Sequence, residues 1–140
     1  MAATAVGLVA LIFIGVAGFW RPFHFHITPP PDIQDKTTLA AALAFTLLGT
    51  GLNQELVFRG FLLNRLVKAF RGEWPPAIVT TAVVFGLLHF ALGIPGVIDA
   101  ALAGLLLGAI YLWAEKNLWV VVVGHSIANA IFLVYAYWTR

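Results

Sequence analysis

Three pairs of residues, each four positions apart, carry the groups in this chain that could do chemistry: Glu55 with Arg59, Phe85 with His89, and His125 with Asn129. On a helix this spacing puts both members of a pair on one face. Glu55 and Arg59 can therefore pair, which lowers the cost of taking either charge out of water. Gln54, one residue earlier, is rotated by about 100° and faces a different neighbour. A carboxylate, two imidazoles and a carboxamide spread over separate helices are the groups needed to activate water and stabilise an oxyanion, so peptide hydrolysis is the first candidate. A buried glutamate can serve as the base and an adjacent histidine can share its proton, while His125 and Asn129 could supply the donors. An isolated histidine in an apolar helix can also be a structural hydrogen-bonding group, but several such groups in one small chain favour a site.

The elements that must position these groups are membrane helices. Of 140 residues, 61% are apolar and only 10% charged, and the mean hydropathy is +0.95, which describes a single integral membrane domain spanning residues 1–140. The chain has no cysteine, which excludes disulfides, thiol catalysis and thiolate metal sites. A net charge of +2 without a basic run gives nothing to track phosphates, so nucleic acid is set aside as a partner.

Ala3 to Trp20 reads as a first membrane-crossing helix ending in the interfacial residues Trp20 and Arg21; no Lys or Arg precedes it and its cleavage pattern is poor, which favours a retained helix over a signal peptide. Residues 21–38 form the long polar connection, interrupted by Pro29 to Pro31. His24 and His26 within it could hold a metal, although interfacial aromatic and imidazole groups are the simpler reading. Asp35, Thr37 and Thr38 offer N-caps for a helix starting near Leu39 and running through the Glu55 motif. Its second half sets Phe61, Leu62, Leu66 and Phe70 against Asn64, Arg65, Lys68 and Arg71, predicting an amphipathic stretch that emerges at a basic, lipid-contacting surface. A third span is expected from Ala77 to Leu92, a tight turn at Gly93 to Gly96, a fourth span from Val97 to Ala114 and a last one from Leu118 to Trp138. Gly104 and Gly108 have the spacing that lets helices approach closely, and Asp99 could be a helix cap or a site residue. The expectation is an all-α polytopic membrane bundle of about five helices. With five spans, Arg59, Arg65, Lys68, Arg71 and Lys116 share the side of the N-terminus, which would be cytoplasmic.

Gln54-Glu55-x-x-x-Arg59, Phe85-x-x-x-His89 and His125-x-x-x-Asn129 resemble, in order, the EExxxR, FxxxH and HxxxN motifs of the CAAX prenyl protease and bacteriocin-processing (CPBP, or Abi) family of intramembrane proteases. The resemblance covers residues 49–135, a protease-like core. It implies a glutamate-dependent endopeptidase with its site in a cavity opening to one side of the bilayer. In that family the first glutamate and the FxxxH histidine are thought to activate water, and the HxxxN pair to form the oxyanion hole. Carried over, His89 partners the proton acceptor, His125 and Asn129 are the oxyanion donors, and Glu55 with Arg59 is a structural or substrate-orienting pair. Substrates would be peptides or proteins at the membrane, prenylated or with a C-terminal anchor, and the small size suits a prokaryotic inner-membrane protein.

The departure falls on Gln54, where the family has its first glutamate. A carboxamide keeps the shape and removes the base. A silencing substitution, a natural inactive relative and a transfer of the role to Glu55 all account for it; the first two fit better, because Glu55 already has Arg59 as a partner. Three other readings stand beside the glutamic protease. One is a Zn²⁺ enzyme with Glu55, His89 and His125 as ligands. Another is a haem protein ligated by His89 and His125. The third is a non-catalytic peptide-binding or bacteriocin-immunity membrane protein, which Gln54 favours.

Overall fold

The computed structural model describes Gly7, Ile33 and residues 35–138. The expected first span, Ala3 to Trp20, and the histidines His24 and His26 lie outside the described residues, apart from Gly7. Within them the regular secondary structure is entirely helical. The first helical run occupies residues 36–69 without interruption and changes its winding along the way: α1 (Lys36–Phe45), a π-helical stretch (Thr46–Thr50), α2 (Gly51–Glu55), a second π-helical stretch (Leu56–Leu63) and α3 (Asn64–Ala69). Then follow α4 (Trp74–Leu87), a 3₁₀ turn (Phe90–Leu92), α5 (Gly93–Trp113) and α6 (Leu118–Trp138).

Asp35 caps the run, which starts at Lys36, three residues before the expected point. Its Oδ1 accepts from the backbone N–H groups of Thr37 and Thr38, both at 2.8 Å, and its own N–H donates to Thr38 Oγ1, completing a capping box. The Thr38 backbone bond, helped by the Thr38 hydroxyl and the Thr37 N–H, holds the Asp35 carboxyl below its ordinary range. The cap therefore contributes above the ordinary carboxyl pKa and is lost as pH falls through the lowered one.

Two boundaries differ from the sequence reading. The third span ends at Leu87, so His89 follows the helix instead of lying in it. Gly93 to Gly96, expected as a turn, is the first turn of α5: Gly93 takes φ +73°, and Pro95 sits where a missing N–H leaves no bond unmade. Asp99 consequently lies inside α5, whose N-cap is Leu92. Among the described residues two helices are long and apolar enough to cross a membrane, Phe90–Trp113 and Leu118–Tyr135. The outer surface is apolar: Phe45, Leu48, Phe90 and Ile94 are 70 to 78% exposed, a pattern that water would penalise and lipid does not.

The core has two parts. Leu63 and Val67 of the first run meet Ala77 of α4, Leu107 and Tyr111 of α5, and Val121 of α6. Nearer the site, Phe58, Phe85 and Ala100 pack together. The buried stripe of the expected amphipathic half is thus Phe58, Arg59, Leu63 and Val67, whereas Phe61 and Phe70 face outward. Arg65, Lys68 and Arg71 are exposed, as is Lys116, whose Nζ lies 4.7 Å over the Trp74 ring, so these cations gather at one end of the bundle.

Small residues set the helix separations. A Cβ at Gly86 would lie 2.6 Å from the Val97 carbonyl oxygen, and one at Gly104 would lie 3.0 Å from Ala82 Cα, so α4 and α5 touch backbone to backbone. A Cβ at Gly51 would collide with Ser126 Oγ, which brings α2 directly against α6. Gly86→Ala and Gly51→Ala are each expected to destabilise the bundle by about 1–3 kcal/mol, the range for overpacking. Adding Ser126→Ala should recover part of the Gly51→Ala loss and none of the Gly86→Ala loss, measured by unfolding in detergent micelles.

Candidate active site

The approach of α2 to α6 decides the site. One turn beyond Gly51 lies Glu55, and next to Ser126 lies His125, so the same close contact sets carboxylate beside imidazole. Glu55 is fully buried. Its Oε1 accepts from Arg59 Nη1 at 2.9 Å and is 2.7 Å from His125 Nδ1. Because Arg59 already donates to that oxygen, it acts as an acceptor, and His125 donates through Nδ1. Among the described residues the other carboxylate oxygen, Oε2, is buried and accepts no hydrogen bond.

Arg59 is 2% exposed, so it is not one of the surface cations counted from the sequence. Its second amino group, Nη2, donates to the Gly104 carbonyl at 2.9 Å, tying the first helical run to α5. The guanidinium carbon lies 5.4 Å from the centroid of the Phe85 ring, which adds a cation–π contact from α4. Phe85 is also 6.1 Å, centroid to centroid, from the His125 ring and 4.8 Å from Phe58. Arg59 thus joins three helical elements and His125 supplies a fourth.

His89 sits just past the end of α4. Its Nδ1 donates to the Phe85 carbonyl at 2.7 Å, and its ring packs on Phe85 at 4.6 Å between centroids. A carbonyl can only accept, so Nδ1 carries a proton and Nε2 is the nitrogen left to face other groups. Gln54, His89 and Asn129 are half-buried and, among the described residues, make no hydrogen bond to one another or to Glu55.

The structure thus gathers Glu55, Arg59, Phe85 and His125 into one contact network, places His89 against its edge through Phe85, and leaves Gln54 and Asn129 outside its hydrogen bonds. The ligand set of the alternative Zn²⁺ reading, Glu55, His89 and His125, is not assembled: among the described residues no three histidine, cysteine or acidic side chains are arranged to hold an ion. His89 is committed instead to its own helix end. An open groove of about 660 Å³ runs between Leu43, Leu47 and the outer half of α6, from Ile127 to Trp138, but its lining is apolar and includes none of the candidate residues.

Sequence reasoning missed three contributors. Gly104 was read as packing only, and its carbonyl is the Arg59 acceptor. Gly51 and Ser126, which set the distance between Glu55 and His125, carry no sequence signal beyond being small.

The family described as type II CAAX prenyl endopeptidase, Rce1-like, matches residues 36–131, more than half of the chain. The chain belongs to the Rce1-like family. No curated protein and no solved structure matches it. The Rce1-like match contains all three paired motifs and all of α1 to α5, and it makes the chain a helical integral membrane protein of a protease family. Both histidines pack on Phe85, and His125 is held by Glu55.

Removing one member of a buried ion pair strands the other charge, at a cost of about 3–5 kcal/mol. Arg59→Met is therefore expected to lower stability by that amount in detergent or nanodiscs. Glu55→Leu combined with Arg59→Met should cost less than the sum of the two single changes; full additivity would show that the two side chains do not share a buried pair.

Proposed function

We propose that the chain is an intramembrane endopeptidase scaffold of the CAAX-protease type, acting on a peptide or C-terminal segment of a membrane-associated substrate, with its hydrolytic step suppressed at Gln54. The observation that carries this reading is the fully buried Glu55, held by Arg59 and His125, because it joins the first and third motifs while Phe85 of the second packs on both partners.

In the chemistry proposed, a carboxylate at position 54 takes a proton from water as the oxygen adds to the scissile carbonyl, and that proton then passes to the leaving amine. His89, with its proton held on Nδ1 by the Phe85 carbonyl, presents Nε2 as a proton partner. Oxyanion stabilisation falls to His125 and Asn129. Since His125 spends Nδ1–H on Glu55, donation from the same ring to an oxyanion requires the imidazolium, and Glu55 supplies the counter-charge. Glu55 is accordingly a support for His125 and Arg59, and its full burial keeps it from the water it would have to activate to replace the missing base.

Gln54 also favours a second reading, a relative that binds peptide without cutting it, as an immunity or scaffold protein would. The wider setting proposed is a bundle of about five spans, the first being Ala3 to Trp20, in a prokaryotic inner membrane. The end bearing Arg65, Lys68, Arg71 and Lys116 would face the cytoplasm.

Gln54→Glu separates the two readings. With a prenylated or membrane-anchored peptide library as substrate, the unaltered chain should hydrolyse poorly, and Gln54→Glu should raise the rate by about 10²-fold to 10⁴-fold, the range for an added general base. His89→Ala or His125→Ala in that background should remove the gain while the helical circular dichroism persists. A folded Gln54→Glu protein that still binds peptide but cuts nothing would leave the binding reading in possession.

A further inference from the structure

The long π-helical stretch Leu56–Leu63 carries Arg59 and must return to α-helical winding at Asn64. At such a junction the backbone hydrogen-bond ladder changes register. The Asn64 backbone N–H bonds back to Phe61, so it serves neither Arg59 nor Gly60. The Asn64 side chain does: Nδ2 donates to the Arg59 carbonyl at 2.7 Å and to the Gly60 carbonyl at 3.1 Å, and lies 3.4 Å from the Tyr111 hydroxyl of α5. Read from the sequence, Asn64 belonged to an exposed polar face; it is half-buried and turned inward.

We propose that Asn64 is a positioning residue for the active site: its carboxamide holds the wide-turn register of residues 56–63, and so sets where the Arg59 guanidinium meets Glu55 and the Gly104 carbonyl. The chain of contacts is continuous. Asn64 grips the Arg59 backbone, Arg59 Nη1 and Nη2 grip Glu55 and α5, and Glu55 Oε1 holds His125. If residues 56–63 rewound to α-helical register, the side chains along the stretch would rotate relative to α5, and one of Arg59's two bonds would have to lengthen. An asparagine suits the junction because its amide offers two N–H groups on a short stem. Alanine offers none, and serine offers one that can reach the carbonyl a turn back.

The proposal rests on the protease reading only for its effect on turnover, so the test has one arm that does not involve activity. With the histidines ¹⁵N-labelled in the imidazole and the protein in nanodiscs, the His125 Nδ1–H resonance, assigned by its loss in His125→Gln, reports the bond to Glu55. Asn64→Ala should shift or broaden that resonance, Asn64→Ser should restore it in part, and Tyr111→Phe, which removes the longest of the three contacts, should leave it in place. In the Gln54→Glu background, Asn64→Ala should lower kcat by about 10-fold to 100-fold with KM little changed, as for a misplacement remote from the reacting atoms. A folded Asn64→Ala protein with the His125 resonance unmoved overturns the proposal, whether or not its melting temperature falls. A moved resonance together with an inactive Gln54→Glu enzyme upholds the positioning role and defeats the protease reading instead.

Discussion

A carboxylate shut away from water must find its compensation within the protein, and the arrangement around Glu55 follows from that constraint. Burial of an isolated ion in a low-dielectric interior is prohibitive, so each partner has to be delivered by the fold. Arg59 comes from the next helical turn and His125 from the last helix. Arg59 in turn is a buried cation with donors to spare, and it spends one on Gly104 of α5 and its face on Phe85 of α4. One charge thereby commits four segments of the chain to a single mutual arrangement, which is a stronger specification than lipid-facing leucines and valines can give, because those are as well solvated by hydrocarbon chains as by each other.

Such a network needs helices closer together than large side chains allow. Gly51 against Ser126, Gly86 against Val97 and Gly104 against Ala82 provide that proximity. The same residues make the site intolerant: a methyl group at any of them acts on the polar network through the helix separation. The wide winding of residues 46–50 and 56–63 fits this picture, since both flank the short α2 that carries Gly51 and Glu55, and π-helical segments recur where a helix must present side chains in a non-standard register.

Much of this was legible in advance, for a physical reason. Paired polar residues at helical spacing stand out in a sequence this apolar, so Glu55 with Arg59, Phe85 with His89 and His125 with Asn129 could be picked out and linked to a protease family that the family match bears out. The contact between Glu55 and His125 could not, because 70 residues separate them and the choice of partner depends on which helices touch. Glycine and proline misled at residues 93–96: both mark turns, but the first turn of a helix accepts them too. Helical winding was invisible, as a π register depends on which carbonyl each N–H finds. That is why Asn64 read as one more surface amide.

The bond from His125 to Glu55 inside the membrane domain organises the polar site. A double-mutant cycle addresses it most directly: Glu55→Gln, His125→Gln and the combined variant, with unfolding measured in the same nanodiscs. A coupling between the two positions of about 1–3 kcal/mol is expected, as for buried residues in direct contact. Additive effects with no coupling would contradict it, since two side chains that share a buried hydrogen bond cannot be lost independently.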